Sequence, residues 1–178
     1  MDYLNANLKC IEKKDKTVYE ALRDKITDEK FLTICAEKFK IIPTKDEKKT
    51  IQICQKDKKI IRLNSIYSPL KEAERWEEKY KSMDRITSVI MFGCGLEYFF
   101  SELNRYIDDF AIIFDYEPDI DLFVFIISNF DITSFLNDNR VLLYINGIND
   151  KELYMEICRR INWAMLPTQI VVHHPGYD

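Results

Sequence analysis

Short apolar runs alternate with helical patterns through the second half of the chain. The runs Ser88–Phe92 and Phe110–Phe114 are typical of parallel strands that are covered on both faces. Two further strands are predicted at Arg140–Ile145 and Gln169–Val172. Helices are predicted around these strands, over Pro69–Lys81, from about Glu97, over Ile120–Ser128 and over Lys151–Met165. The alternation predicts an α/β fold with a Rossmann-like, doubly wound and mainly parallel sheet.

The first third of the chain has a different pattern. Thr50–Cys54 and Lys59–Leu63 alternate apolar and polar residues, which predicts two antiparallel strands joined by a turn at Lys56–Lys58. A helix is predicted before them, at Val18–Ile26. We therefore expect a small N-terminal α+β unit over residues 1–66, followed by the Rossmann-like domain over residues 67–178.

Charge separates the two parts of the chain. The first 85 residues carry 21 Lys and Arg against 16 Asp and Glu, whereas the remaining residues carry 5 against 14. Nucleic-acid binding draws its affinity from clustered Lys and Arg, so the acidic second half argues against nucleic acid as a partner.

Targeting and cysteine patterns indicate a cytoplasmic protein. The N-terminal residues lack the apolar core of a signal peptide, and no run of about 18 uncharged apolar residues is present to cross a membrane. The five cysteines are widely spaced and form no C-x-x-C pair, so we expect reduced thiols and no structural zinc.

Candidate ligand-binding residues follow three of the predicted strands. Gly93, Cys94 and Gly95 form a tight turn between a strand and a helix, where N–H groups at the helix start can bind an anion. Asp115 and Glu117 follow the next strand, about 20 residues further on, where an acid commonly binds a ribose hydroxyl. Asn146 follows the third strand. Parallel strands end at one edge of a sheet, so these residues are expected around one crevice.

The glycine turn leaves two interpretations open: a tight turn with close helix packing, or a site for a nucleotide, a CMP-sugar or S-adenosylmethionine. Tyr98 stands where a dinucleotide site has its third glycine. A methyltransferase turn has an acid at the position of Met91 and a glycine at the position of Glu97, and this chain has neither. A carboxylate at Glu97 is expected to repel a phosphate.

Other polar residues have structural as well as functional explanations. Ser65 and Tyr67 lie in a polar loop before a helix and either contact a ligand or brace that helix. The thiol of Cys94 lies near a helix start, where the pKa of a thiol falls, yet no histidine is close in sequence. His173 and His174 are neighbours on a strand and point to opposite faces, so we expect no metal site. Catalytic residues remain unassigned.

Three segments resemble, in order and spacing, motifs of the motility accessory factor family. Residues 64–75, NSIYSPLKEAER, are similar to that family's S-x-Y-x-P-x-x-E-A-x-x. Residues 92–98, FGCGLEY, are similar to F-G-x-G-x-G-Y, with Glu97 in place of the third glycine. Residues 115–119, DYEPD, are similar to the E-P-D that follows the second strand.

The resemblance implies a role in flagellin glycosylation. Members of the family are bacterial cytoplasmic proteins similar to nonulosonic-acid transferases, and the matched part is their N-terminal Rossmann-like region. A transferase domain that would use a CMP-activated sugar follows it, so this chain is expected to bind a nucleotide or the protein acceptor, or to assist assembly, without the transferase site. Two alternatives remain: a small S-adenosylmethionine-dependent methyltransferase-like protein, and a structural module that forms a homo-oligomer through its N-terminal strands.

Overall fold

The computed structural model describes residues 2–55, 57, 59–83, 85–160 and 168–173. The α-helices, in chain order, are α1 (Tyr3–Lys14), α2 (Lys16–Ile26), α3 (Glu29–Lys38), α4 (Pro69–Glu77), α5 (Tyr98–Leu103), α6 (Ile120–Asn129), α7 (Thr133–Asn137) and α8 (Leu153–Arg160). The strands are β1 (Phe39–Pro43), β2 (Lys49–Cys54), β3 (Ile60–Arg62), β4 (Ile86–Phe92), β5 (Ile107–Glu117), β6 (Val141–Ile145) and β7 (Thr168–His173).

A parallel sheet in the order β6-β5-β4-β7 forms the centre of the second half. Phe92 on β4 is paired in register with Tyr116 on β5 and with His173 on β7, so these strands end at one edge. On the other side of β5, Glu117 is paired with Ile145. The prediction of an α/β fold with a parallel sheet is therefore confirmed.

Strand β5 is longer than the sequence predicted. Its apolar run ends at Phe114, but the strand continues through Asp115 and Glu117, which were expected in the following loop. The end of the apolar run predicted too early an end for the strand, because two buried positions of β5 are occupied by acids. Residues 115 and 117 are two apart on a strand, so their side chains point to the same face of the sheet.

A separate antiparallel sheet, β1-β2-β3, precedes the parallel one. The two strands predicted in this region are present, and Ile53 on β2 is paired with Ile61 on β3. Strand β1, which was not predicted, pairs with the other side of β2. Its short sequence ends in a proline, which carries no N–H for a sheet, and this weakens the strand signal. In the turn predicted at Lys56–Lys58, Asp57 has a turn conformation, whereas Lys56 and Lys58 lie outside the described residues. The end of the helix predicted to Met165 lies outside them as well.

Side-chain caps stabilise the starts of helices α4 and α6. The Ser68 hydroxyl accepts a hydrogen bond from Lys71 N, and Pro69 occupies the first position of α4. At the start of α6, the Asp119 carboxylate accepts hydrogen bonds from Asp121 N and Leu122 N at 3.0 and 3.1 Å. Helix α6 is then mostly apolar, and five of its ten residues are buried, so hydrophobic burial holds it in the fold.

The N-terminal helices pack on the second half of the chain. Helix α1 packs against α6 and α7, and α3 packs against α6. The buried side chain of Asn7 on α1 donates hydrogen bonds to Ile127 O and Phe130 O and accepts one from Ile132 N. Lys38 on α3 forms an ion pair with Asp119, with 2.8 Å between Nζ and Oδ2. The domain boundary at residue 66 stays a prediction.

Among the helices of the described residues, none has the length and apolar character that a membrane crossing requires.

Candidate functional site

The glycine turn at the end of β4 has an alternating left-handed backbone. Gly93, Gly95 and Glu97 have φ angles of 82°, 57° and 63°. Such alternation points successive N–H groups toward a common point and makes a concave site for an anion. The turn is joined to β5 by a hydrogen bond from Gly93 N to Tyr116 O at 2.9 Å. The predicted position of the turn, beside the end of β5, is therefore what the structure shows.

A carboxylate of the protein itself binds to this turn. Glu117 Oε1 accepts a hydrogen bond from Cys94 N at 2.8 Å, and the Glu117 side chain is fully buried. A hydrogen bond from an amide to an ionised carboxylate is short and strong. An amide that would contact a phosphate in a nucleotide site thus donates to Glu117 instead.

Asp115 lies beside Glu117 and is also fully buried. No N–H or hydroxyl group of the described residues donates a hydrogen bond to either of its carboxyl oxygens. Burial, followed by the charge of Glu117 and a hydrogen bond shared with it, raises the pKa of Asp115 well above its usual range. Two adjacent carboxyl groups repel each other when both are ionised, so the pair is more stable when it shares one proton. Both acids were predicted to bind a ribose, but neither is accessible in this conformation.

The thiol of Cys94 completes a buried cluster with the two acids. The exposed fraction of Cys94 is 1%, and its Sγ and one carboxyl oxygen of each acid all lie within 4.8 Å of one another. Burial, and then the Glu117 and Asp115 carboxyl groups, raise the pKa of the Cys94 thiol well above its usual range. The expectation that a helix start lowers this pKa was wrong, because desolvation and two neighbouring acids outweigh the helix. Cys94 is therefore a protonated thiol and not an activated nucleophile.

The protonation of Asp115 gives the stability a definite pH dependence. The folded protein holds this proton more tightly than the unfolded chain does, so the free energy of unfolding falls as pH rises from about 4 through the raised pKa. We expect Asp115→Asn, which needs no proton, to gain stability over the unsubstituted protein as pH rises.

Urea unfolding of chelator-treated protein between pH 5 and pH 8 measures this difference directly. The control is Asp108→Asn, because Asp108 is a partly buried residue of the same strand outside the cluster, and its pKa is lowered, chiefly by a hydrogen bond from Phe110 N. Parallel curves for Asp115→Asn and the unsubstituted protein would contradict the prediction.

Asn146 lies at the same edge of the sheet, but it is exposed, whereas the cluster of Cys94 and the two acids is buried. Its backbone N–H donates to Glu117 O at 3.0 Å, which brings the end of β6 next to the end of β5. Its exposed side chain donates from Nδ2 to Pro118 O at 3.2 Å. Asn146 therefore fixes the edge of the sheet, and its predicted contact with a cofactor stays a prediction.

Glu97 does not point into the anion site, contrary to the expected repulsion of a phosphate. Its carboxylate accepts hydrogen bonds from Phe135 N at 2.8 Å and from the Ser134 hydroxyl at 2.9 Å, at the start of α7. Burial raises the pKa of Glu97, and these two hydrogen bonds partly offset that effect. The residue has the left-handed backbone that suits a glycine, and its side chain joins the glycine turn to α7.

Substitutions at Glu97 separate its backbone strain from its hydrogen bonds. We expect Glu97→Ala to lower the free energy of unfolding by about 2 kcal/mol, because two hydrogen bonds to a carboxylate are lost. Glu97→Gly loses the same hydrogen bonds but relieves the left-handed backbone, so its loss is expected to be smaller by about 1 kcal/mol. Urea denaturation of both variants gives the comparison. A glycine variant less stable than the alanine variant would contradict the role of backbone strain.

The loop with Ser65 and Tyr67 braces helix α4. The Ser65 hydroxyl accepts a hydrogen bond from Tyr67 N at 3.2 Å, and Ser65 N donates to Glu72 Oε2 at 2.8 Å. The Tyr67 ring is 61% exposed, and Lys45 Nζ lies 4.4 Å from its centre. Of the two explanations that the sequence left open, bracing accounts for the observed hydrogen bonds of Ser65. Ligand binding by Tyr67 stays a prediction.

The two histidines, His173 and His174, fall where the described part of the chain ends. The backbone of His173 ends β7 opposite Phe92, and His174 lies outside the described residues. The prediction that the two histidines form no metal site therefore stays a prediction.

The packing of the Cys94 thiol against both acids was not predicted from the sequence. Cys94 was expected beside the two acids at one edge of the sheet, and the acids were expected to bind a ribose. The available signal was that residues 115 and 117, two apart after an apolar run, share one face if the strand continues, but this spacing is the same for a buried face and an exposed one.

The chain matches no protein-family model, no curated protein and no solved structure.

Proposed function

We propose that this chain is a Rossmann-like module that acts through protein contacts in a motility accessory factor-like glycosyltransferase. In this proposal it binds a protein acceptor such as flagellin or assists assembly with a transferase domain, and it carries no transferase site. The strand order supports the Rossmann-like part. In chain order the parallel strands run third-second-first-fourth across the sheet, which is the order at the centre of a Rossmann fold.

The hydrogen bond between Glu117 and Cys94 N is the observation that favours protein contacts over nucleotide binding as the function. A phosphate at the glycine turn needs free N–H groups, and Glu117 already accepts from one of them at 2.8 Å. A bound nucleotide would have to displace a buried carboxylate and leave it next to Asp115, another acid. Desolvated carboxylates without compensating partners are costly, so this displacement is unfavourable. The same argument disfavours S-adenosylmethionine, whose ribose would need an accessible acid.

The positions of the three motif segments support the family assignment. The segment over residues 64–75 forms the loop and first turns of α4, which packs against α5 directly after the glycine turn. The segment over residues 115–119 ends β5 and caps α6. The second and third segments thus lie at one edge of the parallel sheet, where functional residues of such sheets occur, and the first forms the helix that packs against α5.

Self-association is the second candidate function, and exposed apolar side chains favour it. Ile34 on α3 and Ile60 on β3 are each 52% exposed, and Leu32 on α3 is 47% exposed. Exposed apolar side chains near open sheet edges are typical of interaction surfaces.

Isothermal titration calorimetry tests the proposal. The chain is titrated with CMP, a CMP-activated nonulosonic acid, NAD and S-adenosylmethionine, and separately with monomeric flagellin. We expect no saturable heat from the four small molecules and saturable binding of flagellin. Saturable binding of a nucleotide would overturn the proposal, and binding of S-adenosylmethionine alone would support the methyltransferase alternative. A chain that binds nothing but dimerises in light scattering would support self-association.

A further inference from the structure

The cluster of Cys94, Asp115 and Glu117 has an unusual chemical composition for a protein interior. Three acidic groups are each 0–1% exposed, and one atom of each lies within 4.8 Å of the others. Two come from a single face of β5, and the third comes from the turn that follows β4. A buried carboxylate ordinarily has hydrogen-bond donors or a cation beside it.

Asp115 lacks such donors. Both of its oxygens are buried, and no N–H or hydroxyl group of the described residues donates to them. Glu117, in contrast, has the amide of Cys94 at 2.8 Å. The fold thus holds a carboxyl group to which no N–H or hydroxyl group of the described residues donates, and places it at full burial beside a thiol and a second carboxyl group. A bound cation would stabilise this arrangement.

We propose that Cys94, Asp115 and Glu117 bind one divalent cation of the zinc class. A thiolate combined with carboxylates suits Zn²⁺, which binds both sulfur and oxygen ligands, whereas Mg²⁺ and Ca²⁺ prefer oxygen alone. On binding, the cation forms bonds to the sulfur and to one oxygen of each carboxylate, and the thiol and the protonated carboxyl group release their protons to solvent.

The geometry requires only small movements. Zn–S and Zn–O bonds of about 2.3 and 2.1 Å in a tetrahedron place the ligand atoms roughly 3.5 Å apart. The three atoms lie within 4.8 Å of one another, so side-chain rotations of about an ångström would bring them to this separation. The carbonyl oxygen of Gly95, 3.6 Å from Cys94 Sγ, is a further oxygen at the same turn.

Zinc and cobalt binding to chelator-treated protein tests the proposal. We expect one equivalent of Zn²⁺ to bind in competition with a chromogenic zinc indicator, and Co²⁺ to produce a thiolate-to-cobalt charge-transfer band. Cys94→Ser is expected to abolish that band. Asp115→Asn keeps the size of the side chain and is expected to weaken Zn²⁺ binding at least about tenfold.

Cys158→Ser is the matched control, because Cys158 is an exposed free cysteine of the same chain. It is expected to bind Zn²⁺ and Co²⁺ as the unsubstituted protein does. Circular dichroism establishes whether each variant is folded, and the cobalt spectrum of the unsubstituted protein decides the question if a variant is not. Absence of the thiolate band in that spectrum would overturn the proposal. Loss of the band in Cys158→Ser, with Asp115→Asn unaffected, would overturn it as well.

Discussion

Asn7→Ala lowers the free energy of unfolding by about 3 kcal/mol or more, the largest effect that we expect from a single substitution here. The Asn7 side chain donates to Ile127 O and Phe130 O at 2.8 and 2.7 Å and accepts from Ile132 N at 3.2 Å. Removal of the side chain leaves three backbone groups without this partner, two of them buried and one partly buried, and each buried group costs about 1–3 kcal/mol. For a chain of this length, the melting temperature should fall by roughly 6–12 °C.

Asn5→Ala is the control, because Asn5 is an exposed asparagine on the same helix. Its substitution should change the free energy of unfolding by no more than about 0.5 kcal/mol. Asn7→Asp should be nearly as damaging as Asn7→Ala, since a carboxylate cannot donate to the two carbonyl groups. Both alanine variants unfolding at the same urea concentration would show that α1 does not pack on α6 and α7 as described.

Glu117→Ala lowers the free energy of unfolding of chelator-treated protein by about 3 kcal/mol, the second large effect. The substitution removes a buried side chain and leaves Cys94 N without its acceptor at 2.8 Å. It thereby combines a cavity with an unsatisfied amide, and each of these costs about 1–3 kcal/mol. Urea denaturation measures the loss.

Glu117→Gln separates the acceptor oxygen from the charge. Its amide oxygen can accept from Cys94 N, and its NH₂ group can donate to Asp115, so we expect a loss of less than about 1 kcal/mol. A glutamine variant as unstable as the alanine variant would contradict the role assigned to the hydrogen bond. That result would show that the glycine turn requires the charge of the carboxylate.

Two glutamates, Glu117 and Glu97, connect the glycine turn to the elements beside it. Glu117 holds the glycine turn from the side of β5, and Glu97 holds it from the side of α7. Both are carboxylates that accept backbone N–H groups, the role that a phosphate has in a nucleotide site. The glycine turn is thus stabilised from within the protein, and this is the physical basis for proposing protein contacts as its function.

Part of this site could be predicted from the sequence. Glycines after an apolar run predict a tight turn, and strands of one parallel sheet end at one edge, so Gly93, Asp115 and Asn146 were expected together. Their proximity is what the structure shows. The prediction could not give the direction of each side chain, because the motif spacing is the same for an acid that points to solvent and one that points to the interior.

The sequence by itself determined the types of most elements and the sheet class, because apolar runs and capping residues act within a few neighbouring positions. Only the tertiary structure decided that Asp115 and Glu117 are buried with Cys94 and that Glu97 binds the start of α7. It also decided that Asn7, an unremarkable polar residue on a helix, joins the N-terminal helices to the second half. These outcomes depend on atoms far apart in the chain, whose desolvation and hydrogen bonding arise only when the elements pack.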